Sequence, residues 1–430
     1  MRDGPTVRRY IEIEKPNSEA IALYRGWPQE GVASLTTALQ RMIPSARPIK
    51  PAQWRSVFPR WLQDKAPSRL VFPFEQKPED ANEATSLRIL GNVFTLNANP
   101  EIDLADVWCP IGGGDTTFGS RDNALALIGA PTLSAAGATG QGVNVVIVDQ
   151  GLHKDSLPTY QDGWSQGSAT AGNGPADGHG MMVARNVLSV APKAYLWDCP
   201  LIPDAIDYVS PFLHIAADAM NWVLDDIAVH QAAGRDKWIL VNSWAVYDRR
   251  TEYPPNDYIN NPGHAFNLAI QRADTMGVDV VFAAGNCGGF CPKSRCGPDD
   301  RGQGASILGA NSLGCVLTAG AVRPDGVWIG YSSQGPGQSN LSTAKPDVCA
   351  PSQFADEDDE NPVNSGTSTS AALAAGVIAA LRSLPRTAPP TPEQMRSLLR
   401  DTATAGDPGE DYQFGHGILD AANALAHLPA

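Results

Sequence analysis

Four residues far apart in the chain have the types needed to attack a carbonyl carbon. Asp149 ends the apolar run VNVVIVD (143–149), His179 sits in DGHG, Asn286 closes GVDVVFAAGN (277–286), and Ser368 opens the stretch NSGTSTSAALAAGVIAAL (364–381). A serine hydroxyl is a weak nucleophile until a neighbouring base takes its proton. Histidine takes it near neutral pH, and a buried carboxylate fixes the imidazole tautomer. An amide N–H from Asn286 could hold the oxyanion that forms. Each residue also has a plainer explanation. Asp149 could simply form a turn, and a hydroxyl at a helix start could simply cap it. Capping accounts for one hydroxyl, however, whereas Ser365, Thr367, Ser368, Thr369 and Ser370 place five there. Histidine is ambiguous as well: His416, in FGHG, shares the glycine flanks of His179. His153, His264 and His427 read as surface or loop residues.

The elements that must position these groups follow from the apolar runs. VNVVIVD, AYLWD (194–198), KWILVNSW (237–244), GVDVVFAAGN and GCVLTAGAV (314–322) are short and continuously apolar. Such runs predict strands buried on both faces of a parallel sheet. HIAADAMNWVLDDIAVH (214–230) and HAFNLAIQRADTM (264–276) have helical spacing between them. The alternation predicts a doubly wound α/β sheet, whose sites form at the carboxyl ends of strands. That rule singles out Asp149, Asn242-Ser243 and Asn286. Residues 1–120 read differently, as a small α+β domain ahead of a larger one over 121–430. Its expected strands are 10–14, RLVFPF (69–74) and LRILGNVFTL (87–96), with a helix through Val32, Leu35, Leu39 and Ile43.

Composition narrows the function classes. A chain of 430 residues, 43% hydrophobic, is long enough for a large core. The net charge of −14 is spread rather than clustered, which argues against nucleic acid, a partner that demands basic patches. No run of about 18 apolar residues predicts a membrane span. The start MRDGPTVRRYIEIEKP lacks a secretory apolar region, so a cytoplasmic location is expected. GGGD at 112–115 follows no strand and lacks a P-loop lysine, and no cofactor is expected. Of seven cysteines, Cys109, Cys199, Cys315 and Cys349 read as core residues. Cys287, Cys291 and Cys296 crowd one loop, where zinc, a local disulfide or packed thiols are all compatible with the spacing. The expectation is a structural loop without metal.

Taken together, the blocks resemble those of the subtilisin-like serine peptidases. GVNVVIVDQG is similar to the Asp block, DGHGMMVA to the His block, LVNSW to the strand lining the specificity pocket, and VVFAAGN to the oxyanion block. NSGTSTSAALAAGVIAAL is similar to the nucleophile block, and YSSQGPG (331–337), KPDVCAPS (345–352) and FGHGILDAANAL (414–425) match further pieces. The resemblance covers about residues 125 to 428. It implies His179 rather than His416 as the base, Asp149 as its orienting group, Ser368 as nucleophile and Asn286 as oxyanion donor. It further implies that Ser243, Trp244, Ala245, Ala284 and Gly285 bind substrate. Departures are Gln150 in the Asp block, Met182 for the usual second histidine, Ala372 for a common proline and Ala245 for the pocket glycine. A methyl at Ala245 is expected to favour small or slender side chains. CPLIPDAIDYVSPF (199–212), where the other cleft wall would lie, has no clear match.

The resemblance implies an endopeptidase that cuts peptide or protein substrates through an acyl-enzyme. The competing reading is a silent scaffold of the same fold that binds a protein partner, against which stands the presence of every triad residue. The N-terminal region, by position and size, is expected to be a removable segment that binds its own catalytic cleft, or else an accessory domain selecting a partner. The glycine-rich span PIGGGDTTFGSRDNA (110–124) suits a linker or a cut site. Asp356-Glu-Asp-Asp-Glu360 reads as a solvated acidic loop, with recruitment of basic substrates or calcium as the functional alternatives.

Overall fold

The structure is a computed structural model; it describes residues 117–429, except 166–168, 203–211, 252–256, 291, 357–362 and 405–411, and six strands nearer the N-terminus. Five of those strands, β1 (Val7–Glu14), β2 (Arg47–Pro48), β3 (Arg69–Gln76), β4 (Ser86–Ile89) and β5 (Asn92–Ala98), form an antiparallel sheet ordered β2-β3-β1-β5-β4. The strand expected over 87–96 is two antiparallel strands, with Ile89 paired to Asn92. The helix expected through Val32–Ile43 and residues Trp54, Phe58 and Trp61 lie outside the described residues. A sixth strand, β6 (Glu101–Leu104), leaves this sheet for a partner described below.

The central sheet has seven parallel strands. In chain order they are β7 (Asn144–Asp149), β8 (Tyr160–Gly163), β9 (Tyr195–Pro200), β10 (Trp238–Asn242), β12 (Asp279–Ala283), β13 (Leu317–Val322) and β14 (Val348–Pro351). Their spatial order is β14-β13-β12-β10-β7-β9-β8. Alternation explains why the runs are apolar throughout. Val145 and Ile147 of β7, Ile239 and Val241 of β10, and Val281 and Ala283 of β12 enter one core; Val146, Val148, Trp238, Leu240, Val280 and Phe282 enter the other. With side chains alternating at period 2 and helices on both faces, the strand interiors are apolar on both sides, and most of the buried polar residues of these strands, such as Asp149 and Asn242, stand at strand ends.

The second core is closed by the helices Phe212–Ala232 and Ala265–Thr275, close to the expected spans. The first core is built around the helix Gly366–Ser383, whose residues 366 to 381 are all buried. Its small side chains let the helix His179–Val190 lie directly against it. A Cβ on Gly376 would stand 2.8 Å from Val190 Cβ and 2.9 Å from the Val187 carbonyl, so only glycine permits that approach. These two helices carry His179 and Ser368. Two short ladders complete the fold: β15 (Phe354–Ala355) with β16 (Val363–Asn364), and β6 with β11 (Trp244–Asp248).

Candidate active site

Asp149 ends β7, His179 opens its helix and Ser368 lies in the first turn of the central helix, so three separate elements deliver the candidate groups. His179 Nδ1 lies 2.8 and 2.9 Å from the two Asp149 carboxylate oxygens, and Nε2 lies 3.0 Å from Ser368 Oγ. In that arrangement Nδ1–H donates to the carboxylate and Nε2 accepts from the serine hydroxyl. Asp149 and Ser368 are fully buried, and the His179 side chain is nearly so. His416 is elsewhere, its backbone N–H bound to the Asp347 carbonyl. Glycine flanks did not separate the two histidines; packing does.

The five hydroxyls of the opening turn have five different fates. Ser365 occupies the N-cap position but makes no side-chain capping bond. Thr367 Oγ1 donates to Asn286 Oδ1 at 3.1 Å and accepts from the Gly285 N–H at 3.1 Å. Ser368 faces His179 and also donates to the Ser243 carbonyl at 3.3 Å. Thr369 donates back to the Ser365 carbonyl, and Ser370 to that of Ala350. The capping explanation therefore fails for all of them. Meanwhile the Gly366 N–H donates to the Tyr331 hydroxyl, whose pKa burial pushes up to about 12. A buried phenol thus anchors the start of the helix that carries Ser368.

Asn286 is fully buried after β12. Its Oδ1 accepts from the Thr367 N–H at 3.0 Å as well as from the Thr367 hydroxyl. With the oxygen engaged twice on that side, the carboxamide is held in one orientation. Thr367 is a positioning group that the sequence reading counted as a hydroxyl without assigning it a task. Gln150 is another. It departs from the Asp block, yet its Oε1 accepts from the His179 N–H at 3.2 Å.

The candidate substrate residues divide. Ser243 and Ala245 flank Trp244, and both are buried. The Trp244 indole is fully buried among Phe212, Phe266 and Phe282, so its side chain is part of the core. Ala245 packs with Tyr247, Cys287 and Cys296. Ala284 is buried, its N–H on the Ala319 carbonyl, and Gly285 lies beside Ala245 and Ser333. Asn311, which sequence reasoning missed, donates to both the Trp244 and Ala283 carbonyls at 3.0 and 2.8 Å. It ties the start of β11 to the end of β12.

Cys287 and Cys296 form a disulfide, the local-bridge alternative for that loop, while Cys291 lies outside the described residues. Cys199 and Cys349 are buried thiols outside any disulfide and Cys315 is half-buried; Cys109 is not among the described residues. His264 is no surface residue: it is buried and caps its helix, accepting from the Phe266 N–H. Asp356 is buried against Arg121 at 2.5 Å and Arg185 at 3.5 Å, so the first residue of the acidic run serves packing. Ala372, where proline was usual, is a buried helical residue. Met182 lies between the two helices, its Sδ 3.7 Å from Thr369 Oγ1.

Comparison with known proteins places the chain in a family. The model of the subtilase family matches residues 140–417. Mycosin-1 of Mycobacterium tuberculosis is 30% identical over 323 residues, which is 67% of this chain and 69% of that protein. Subtilisin E of Bacillus subtilis is 24% identical over 311 residues, 69% of each. Among solved structures, fervidolysin from Fervidobacterium pennivorans, a keratinolytic enzyme related to subtilisin, superposes with a TM-score of 0.55 at 18% identity. That match covers 100% of this chain and 63% of fervidolysin, a likeness of fold.

Proposed function

The chain belongs to the subtilase family of serine proteases, and from that premise we propose that Asp149, His179, Ser368 and Asn286 carry its reaction. The observation behind this reading is the unbroken hydrogen-bond line from the Asp149 carboxylate through His179 to Ser368 Oγ. As Ser368 Oγ bonds to the scissile carbonyl carbon, its proton passes to His179 Nε2, and Asp149 stabilises the imidazolium. The carbonyl oxygen becomes an oxyanion. With Asn286 Oδ1 turned to Thr367, its NH₂ end and the Ser368 backbone N–H are the donors that meet that charge. His179 then gives the proton to the leaving amine as the C–N bond breaks. Water repeats the sequence on the acyl-enzyme and restores Ser368.

A fluorophosphonate probe tests the assignment directly. Wild-type protein is expected to be labelled at Ser368, and Ser368→Ala to be unlabelled. Equal labelling of the two, or none of the folded wild type, would overturn it.

We propose further that the N-terminal region lies in the substrate cleft of its own chain. Strand β6 pairs antiparallel with β11, Leu104 opposite Trp244 and Asp103 opposite Ala245. Such strand addition is how extended peptides bind an open edge, backbone to backbone. The ladder stops one residue short of Ser243, whose carbonyl accepts from Ser368. A peptide or protein substrate would take the same place once β6 left.

The Cys287–Cys296 bond favours an oxidising compartment over the cytoplasm expected from the sequence. Alkylating thiols in intact cells and weighing this cysteine pair distinguishes the two.

A further inference from the structure

Asp198 has no part in the reaction just described, yet it is fully buried two positions from the end of β9, in register with Ile147 of β7. Its Oδ2 accepts from the Leu152 N–H at 3.0 Å and from the Gly172 N–H at 2.7 Å, while its Oδ1 has no hydrogen-bond partner among the described residues. Those two N–H groups belong to segments with different duties. Leu152 ends the stretch Asp149-Gln150-Gly151-Leu152 that receives His179. Gly172 belongs to the loop leading into the His179 helix, and Gly174 of that loop donates to the Leu152 carbonyl at 2.8 Å.

Between these segments the tolerances are small. A Cβ on Gly180, the residue after His179, would lie 2.6 Å from the Gly151 carbonyl oxygen, so the peptide of Gly151 sets how closely the helix start approaches. Gln150 accepts from the His179 N–H and donates its own N–H to Asp149 Oδ1 at 2.8 Å. Any shift of Gly151–Leu152 therefore moves the imidazole relative to its carboxylate.

We propose that Asp198 is a positioning residue for the Asp149–His179 pair, fastening the Gly151–Leu152 peptide to the 172–174 loop through its buried carboxyl. The inference rests on the triad reading above. Burial, with the Asp149 charge adding to it, pushes the Asp198 carboxyl up to about 7, although the two backbone bonds pull the other way. The other titratable groups it acts on are Tyr160 on β8 and its chain neighbour Cys199, both raised by burial and by this carboxyl, with Asp162 acting on Tyr160. Lys154 lies against Gly172.

The pH dependence of fluorophosphonate labelling tests the proposal. Chains that begin at the same residue, checked by intact mass, are compared, with folding checked by Tm. Asp198→Asn keeps one acceptor oxygen and removes the charge. It is expected to label within about threefold of wild type at the plateau, with the midpoint of the acid limb lowered by about half a pH unit. Asp198→Ala leaves both N–H groups without their acceptor and is expected to label tenfold or more slowly, on the scale of about 10²-fold for a small misplacement. A folded Asp198→Ala that labels at the wild-type rate overturns the proposal. If Asp198→Ala does not fold, Asp198→Asn decides alone: a lowered midpoint supports the role and an unmoved one overturns it. Unlabelled wild type would overturn the triad reading instead, and this inference with it.

Discussion

At the residue scale Asn286, proposed as the oxyanion donor, offers the sharpest test of the proposed roles. Asn286 is held by Thr367 in one orientation, so its replacement removes a donor already in place rather than one that must swing in. Asn286→Ala is expected to lower kcat by about 10²–10³, the scale seen for such a donor in subtilisin, with KM nearly unchanged. An equal rise in KM would mean that Asn286 binds the ground state. Asp198 offers a thermodynamic counterpart. Its carboxyl rises from an ordinary 3.8 to about 7 in the folded chain, mainly through burial. A folded state that holds a proton more tightly than the unfolded one is favoured below the unfolded pKa and loses that advantage as pH climbs through the folded value. Asp198→Asn cannot ionise. The Tm difference, variant minus wild type, should therefore grow more positive between pH 5 and pH 8. A constant difference across that window would show that the carboxyl does not titrate there.

Elements matter here through the fit of two helices. The central helix is lined with alanines and carries Gly376 where the His179 helix crosses, and both reacting side chains depend on that spacing. Gly376→Val would drive methyl groups into Val190 and the Val187 carbonyl. Overpacking of this kind costs about 1–3 kcal/mol. The expected result is a lower Tm together with slower probe labelling, because Ser368 and His179 ride on the separated helices. Leu268→Ala, at a position 52% exposed on the helix Ala265–Thr275, should change Tm little and labelling not at all. If Gly376→Val labels normally, the helix crossing does not set the Ser368–His179 distance.

For the whole molecule, the question is what the N-terminal sheet does for the catalytic fold. The β6–β11 ladder joins the two regions beside the nucleophile, and Ser368 is fully buried in the chain as it stands. On the reading proposed above, the enzyme is made closed and opens by cutting itself. Wild-type protein is then expected to convert to a species beginning between residues 105 and 124, while Ser368→Ala remains full length by intact mass. Removal of the leading segment should raise the rate of probe labelling. A wild-type chain that stays intact and fully active would make the N-terminal region a permanent domain.

Much of this was legible from residue order alone. Continuous apolar runs at period 2 required strands covered on both faces, and the doubly wound sheet followed from their alternation with helices. Asp149, Asn286 and Ser368 were marked by the ends of their elements, and motif resemblance selected His179. The same end-of-strand rule would have reached Asp198, the last residue of the run AYLWD, but local sequence carries no sign of which N–H groups a carboxylate will meet. Trp244 shows the opposite failure. Its place in the pocket block suggested a substrate contact, and only the packing of Phe212, Phe266 and Phe282 turned its indole into the core. The hydroxyls of the opening turn, identical as cap candidates, were separated by neighbours that lie up to 189 positions away in the chain. Residue order decides what each segment can bury and where it must turn. Which polar atoms then meet is decided by the packing of distant segments, because a hydrogen bond needs about 3 Å and a direction that only the assembled fold supplies.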